Sequence, residues 1–175
     1  REDRRASVRA PSSGAPAATR RQTSGMPFFR RVCPTAGALL IRKPPSGSTP
    51  ASAMRAVDTN VLVRLLVRDD VAQVRAAETF VEKGAWVSHL VLAETIWVLD
   101  AVYERTPTQI AKAIDLLLNH ETLTLQDADV VALALKHFRA RPSIGFSDCL
   151  VLEIARKAGH LPLGTFGKNL AEVDG

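Results

Sequence analysis

Residues 54–175 predict an α/β domain, a central parallel sheet with helices on both faces. Short apolar, β-leaning stretches alternate there with amphipathic stretches of ten or more residues. Helix start and stop signals (Thr106–Pro107, Gly84, Gly159) punctuate the alternation. Strands separated by helices of that length read as βαβ units, which place successive strands side by side and parallel.

The elements follow in order. "MRAV" (54–57) reads as the first strand, and "TNVLVRLLV" (59–67) as a helix with Thr59 or Asn60 available as its cap. In "DDVAQVRAAETFVEKG", Val71, Val74, Ala77 and Val81 recur at three or four residues and Gly84 ends the helix. "AWVSHLV" begins as a strand and passes into the helix "LAETIWVLDAVYE". "TPTQIAKAIDLLLNH" is a helix capped by Thr106, with Pro107 at its first position. "TLTL" (122–125) is a strand, and "DADVVALALKHFRA" a helix with Asp127 as the expected cap. "FSDCLVLEIARKAGH" is a helix closed by Gly159, and "LPLGTF" (161–166) is expected to be the last strand.

The net charge of +5 belongs to the leading segment. Residues 1–53 hold ten Lys and Arg against two acids, whereas 54–175 hold thirteen against sixteen. The leader also carries seven of the ten prolines. Apart from "GALLI" (37–41) it lacks apolar surface to offset its ordering entropy, so it is expected to be disordered. Met54 opens the periodic region, so translation is expected to begin there, with 1–53 an upstream extension. A nucleic-acid-binding arm or a transit peptide are the competing readings. Two cysteines, Cys33 and Cys149, make neither a disulfide framework nor a zinc site, which fits a reducing cytoplasm. No apolar run is long enough for a membrane span.

Three acids stand out. Asp58 lies at the carboxyl end of the first strand, where parallel sheets build their sites. Glu94 shares its helix stripe with Leu90, Val91, Trp97 and Val98; Asp148 shares one with Ile144, Val151 and Leu152. Glu153, followed by Arg156 and Lys157, reads instead as an ordinary solvated acid. Uncompensated carboxylates on core-facing positions become tolerable if they converge on a cation. An oxygen-only donor set favours Mg²⁺, with Mn²⁺ as a substitute. The alternatives are local: Asp58 as a helix cap, Glu94 as a backbone-bonded or neutral buried acid, Asp148 or Ser147 as the cap of its helix.

The stretches "VDTNVLVRLL", "SHLVLAETIWVL", "GFSDCLVLEIARKAG" and "LPLGTFGKNL", in that order and spacing, resemble PIN-domain ribonucleases, and more narrowly the VapC-type toxins of bacterial toxin–antitoxin pairs. The resemblance covers nearly all of 54–174 and none of 1–53. It implies a three-layer α/β/α fold and metal-dependent endonucleolytic cleavage of RNA. It places the acidic cluster at Asp58, Glu94 and Asp148, with Thr59, Asn60 and Thr165 in support. It further implies a cognate antitoxin and a second copy of the chain as partners. The family's usual fourth acid is replaced by Gly167, so one tight metal ion is expected, with a second ion weak or brought by substrate. Asn169 is a nearby source of a neutral oxygen.

With 54–175 acidic overall, RNA must be held by local cations, for which Arg64, Arg68, Lys136, Arg139, Arg141 and Lys168 are candidates. Trp86 and Trp97 have settings that favour core packing over base stacking, His89 ranks below the acids as a functional residue, and His137 is expected on the surface. Two competing functions remain open. One is a catalytically weakened module that binds RNA or an antitoxin, discriminated by restoring an acid at Gly167. The other is an aspartyl-phosphate phosphatase using Asp58, disfavoured by "DTN" lacking the second Asp and testable by phosphoryl trapping.

Overall fold

A computed structural model describes residues 38–41 and 54–173. The leader expectation over 1–53, and Cys33 with it, lie outside the described residues except for 38–41, where Leu39 packs against the core. The elements are β1 (Arg55–Ala56), α1 (Thr59–Val67), α2 (Val71–Val81), β2 (Ala85–Val87), α3 (His89–Ala101), α4 (Pro107–Leu118), β3 (Leu123–Leu125), α5 (Ala128–Ala140), α6 (Phe146–Lys157) and α7 (Lys168–Ala171). The strands pair in the order β1-β2-β3, all parallel, in the expected α/β arrangement.

Local chemistry sets most boundaries. The Thr106 hydroxyl and the Gln109 side chain form a reciprocal capping box at α4, and Pro107 takes the first turn, where its missing N–H costs nothing. Gly84 and Gly159 sit at φ +87° and +76°, the left-handed turn a glycine makes without a Cβ clash. Strand β2 stops earlier than expected. The Ser88 hydroxyl accepts the Val91 N–H at 3.2 Å, so α3 begins at His89.

One core joins the layers. Ala85, Val87, Leu123 and Leu125 meet Leu62, Val81, Leu92, Ile114 and Leu117 from the surrounding helices. Helix α1 packs on α2 and α3, α3 on α6, and α5 on both α4 and α6. Arg55 stacks its guanidinium over the Phe80 ring at 4.3 Å while donating to the Phe80 carbonyl, which pins α2 to the sheet. On the opposite sheet face, the paired row Ala56, Trp86 and Thr124 is exposed.

Five expectations are corrected. No strand forms over 161–166; Pro162 has no N–H for a ladder, and the segment runs as coil into α7. Asp127 occupies the cap position of α5 in a left-handed conformation (φ 44°) and makes no side-chain cap bond. Its carboxylate instead takes Lys157 Nζ at 2.6 Å. Glu153 is 2% exposed, held between His137 Nε2 at 3.0 Å and Arg156 Nε at 3.2 Å, so neither it nor the partly buried His137 is a free surface group. Trp86 and Trp97 are exposed rather than core: Trp86 alternates outward between buried Ala85 and Val87 of β2, and the buried stripe of α3 is Leu92, Thr95, Ile96, Val98 and Leu99. Finally, the acids do not face the core: Asp58 and Asp148 are exposed and Glu94 is half-buried. The buried stripe of α6 runs through Phe146, Cys149, Leu150, Leu152 and Glu153, which turns Asp148 and Val151 outward.

Candidate active site

The carboxyl edge of the sheet gathers the chemistry. Chain leaving β1 passes through buried Val57 and reaches Asp58, whose Oδ1 accepts the Val61 N–H at 3.0 Å. The capping role weighed for Asp58 is thus real, and it occupies one carboxylate oxygen. It also fixes the side chain at the mouth of α1, where the helix dipole favours a negative charge. Thr59, 7% exposed, donates its hydroxyl to Glu94 Oε2 at 2.5 Å. That distance is typical of a charge-assisted O–H···O⁻ bond. It draws Glu94 of α3 toward the start of α1.

Asn60 and Asp58 line a cavity of about 150 Å³ between α1 and α2. Arg64 borders the same cavity, yet its guanidinium is committed elsewhere. It donates to Gln73 Oε1 at 2.5 Å, to both oxygens of Asp69 at 2.6 and 2.8 Å, and to the Tyr103 hydroxyl at 3.3 Å. Burial works against its charge, but Asp69 and Tyr103 outweigh that and raise its pKa. Asp69 is the mirror case. Burial opposes its ionisation, and hydrogen bonds from Tyr103 and Arg64 overcome that and lower its pKa.

Asp148 lies in the first turn of α6, which packs on α3. Neither it nor Ser147 caps that helix; the cap position is Gly145. Among the described residues no Lys, Arg or His comes within ion-pair distance of Asp58, Glu94 or Asp148. Nor do any three His, Cys, Asp or Glu side chains there form a group that could hold a metal ion. Thr59, next to Asp58 in the chain, thus holds Glu94, and among the described residues no hydrogen bond joins Asp148 to either acid. The donors themselves, carboxylates with a hydroxyl and no thiolate or imidazole, are of the type that hard divalent cations take.

Thr165 is exposed, and its hydroxyl accepts the Gly167 N–H at 2.9 Å, a local turn contact. Asn169 donates to the Ser143 carbonyl at 3.4 Å, tying α7 to the loop before α6. Of the six candidate cations, four are paired: Arg64 with Asp69, Arg68 with Glu78, Arg139 with Asp115 and Arg141 with Glu172. Lys136 and Lys168 make no ion pair among the described residues. The sequence reading also passed over the pairing of His89 with Asp127. The available signal was that both lie two residues past a strand end, of β2 and β3. No helix among the described residues is long and apolar enough to cross a membrane.

Neither the curated proteins nor the solved structures contain a significant match to this sequence. The model of the PIN domain matches residues 55–175, which takes in every strand and helix described above, and the chain belongs to that family.

Proposed function

We propose that this protein is a Mg²⁺-dependent endoribonuclease, with Mn²⁺ able to substitute, and that it serves as the toxin of a cytoplasmic toxin–antitoxin pair. PIN domains are typically nucleases and generally use divalent metal ions. The observation that carries the reading is the Asp58–Thr59–Glu94 linkage at the carboxyl edge of the sheet, left without a cationic partner while Arg64 is engaged elsewhere.

Asp58, Glu94 and Asp148 would hold the ion. When bound, it polarises a phosphodiester oxygen and acidifies a water for in-line attack. The residues have distinct tasks. Asp58 keeps one oxygen on the Val61 N–H and presents the other. Thr59 holds one oxygen of Glu94, leaving the second to orient the attacking water. Thr59 and Asn60 are the first two residues of α1, and Asn60 lines the cavity beside Asp58. Asp148 completes the set from α6. Gly167, at the position of the family's usual fourth acid, lowers the negative charge and supports one tight ion rather than two. Lys136 and Lys168 remain the candidate phosphate contacts.

The toxin assignment rests on the similarity of the four quoted stretches to VapC-type proteins. It carries with it a cognate antitoxin and a homodimer as partners. An antitoxin guanidinium would be drawn to the unpaired acids by charge-assisted hydrogen bonding. The test is cleavage of RNA by wild type and Asp58→Ala in Mg²⁺, Mn²⁺ and EDTA. Cleavage that needs the metal and Asp58 supports the reading; activity that persists in EDTA refutes it.

A further inference from the structure

Among the described residues, one buried side-chain polar atom has no hydrogen-bond partner: Nε2 of His89. Such atoms are rare because burial strips their water and nothing replaces it. His89 opens α3 two residues past the end of β2, after the capping Ser88, with its backbone N–H held by Gln126 Oε1 at 3.1 Å. Its Nε2 points toward Asp127 Oδ2 at 4.0 Å. The other oxygen, Oδ1, is tied to Lys157 Nζ at 2.6 Å, and the same Nζ holds Asp129 at 2.9 and 3.0 Å. Asp127 is itself one of three non-glycine residues with positive φ among the described residues. That conformation costs energy and recurs where a side chain must be aimed.

Position gives the pair its meaning. The Val57 N–H donates to the Trp86 carbonyl at 3.1 Å, and the Gln126 N–H to the Val87 carbonyl at 2.8 Å. This register brings Asp58, Ser88–His89 and Gln126–Asp127 to one carboxyl edge, with neighbouring strands about 4.8 Å apart. His89 thus follows the strand next to that of Asp58, and in strand order it falls between the proposed catalytic carboxylate and its own acidic partner. The His89 side chain keeps 13% of its surface exposed, and Nδ1 is not among the buried atoms that lack a partner.

We propose that His89 is a proton donor in RNA cleavage, held by Asp127 as a positioning residue; this rests on the nuclease reading above. Water oxygen forms a bond to phosphorus, the bond from phosphorus to a sugar oxygen breaks, and the electron pair stays on that oxygen. The proton that neutralises it comes from His89 Nδ1, while the proton of the attacking water passes to solvent, which later reprotonates the ring. The Asp127 carboxylate faces Nε2 at 4.0 Å and orients the ring so that Nδ1 is turned away from it. Lys157 fixes the carboxylate and restrains its charge. A ring that merely filled space would need neither an aimed carboxylate nor the rim of the sheet.

The experiment compares full-length wild type, His89→Gln, Asp127→Asn and Asp58→Ala on RNA with an ordinary bridging oxygen. The same set is then run on RNA whose scissile link carries a 3′- or 5′-bridging sulfur, a leaving group that needs no proton. His89→Gln is expected to slow oxygen-substrate cleavage about 10²-fold and to recover to within about tenfold of wild type on one sulfur substrate. An equal loss on oxygen and both sulfur substrates, or a loss under about threefold on oxygen, overturns the role. Cleavage that needs Asp58 but ignores His89 refutes this proposal alone. Cleavage that ignores Asp58 refutes the nuclease reading and this role with it. Independently of activity, long-range ¹H–¹⁵N spectra of the neutral ring should show the Nε2–H tautomer in wild type and a mixture in Asp127→Asn. A mixture already present in wild type overturns the pairing.

Discussion

Replacing Thr59 by valine removes one hydroxyl and keeps the shape. The hydroxyl is buried and meets Glu94 Oε2 at 2.5 Å. A hydrogen bond to a charged group contributes about 1.5–3 kcal/mol. Glu94 is half-buried, so water can replace part of the lost donor, and the expected cost falls to about 1–2 kcal/mol. In urea, with a slope of about 1–3 kcal/mol/M for a domain of this size, that moves the midpoint down by about 0.5–1 M. Cleavage should fall as well, because the loosened Glu94 no longer presents its free oxygen at a fixed angle. The cycle of Thr59→Val, Glu94→Ala and the double variant isolates the pair, with an expected coupling of about 1–2 kcal/mol. A coupling under about 0.3 kcal/mol together with unchanged cleavage would refute the claim that this bond links α1 to α3 at the site.

Four further outcomes are expected. Removing both partners of the buried Glu153, in His137→Ala/Arg156→Ala, should cost about 3–5 kcal/mol, whereas Glu153→Leu should cost less than about 1.5 kcal/mol. Urea melts check the order, and the reverse order contradicts the buried pairing. Burial, then the nearby Asp148 charge, pushes the Cys149 thiol up to about 11. At pH 8 only about one thiol in a thousand is then ionised, so iodoacetamide should label Cys149 at least about 100-fold more slowly in the folded chain than in urea. Asp69 is held below the usual carboxylate range once Tyr103 and Arg64 overcome its burial. Its contribution to stability is therefore present above the unfolded-state pKa and lost as pH falls through the lower folded-state value; Asp69→Asn should flatten the acid limb of a stability–pH curve. Gly167 has φ −76°, open to any residue, and an added Cβ would meet Thr165 Oγ1 at 3.3 Å. Gly167→Asp should cap α7 and raise Mg²⁺-dependent cleavage, modestly if the natural site is competent and sharply if it is weakened.

The sequence was most legible where structure is decided locally. Helix α1 occupies the predicted residues 59–67, and the Thr106–Pro107 signal marks the start of α4. Both follow from spacing and capping, which act over one or two turns. It was least legible where a distant partner decides. Glu153 looked solvated because Arg156 lay at i+3, but His137, sixteen residues away on α5, encloses it. Asp127 looked like a cap until Lys157, thirty residues on, claimed its carboxylate. For Glu94 and Asp148, helical periodicity placed them near an apolar stripe but did not show which edge of it faces water. That needs the packing of α3 on α6 and of α6 on α5. These acids are not buried charges, while Asp58 stands at a strand end as the alternation alone indicates.

The engagement of Arg64 with Gln73, Asp69 and Tyr103 has a thermodynamic consequence. A guanidinium anchored at so many points does not swing across to screen Asp58, so the rim repels a polyanion until positive charge arrives from outside. Whatever supplies that charge and the anion that follows must then bind with reciprocal coupling, each tightening the hold on the other by the same factor.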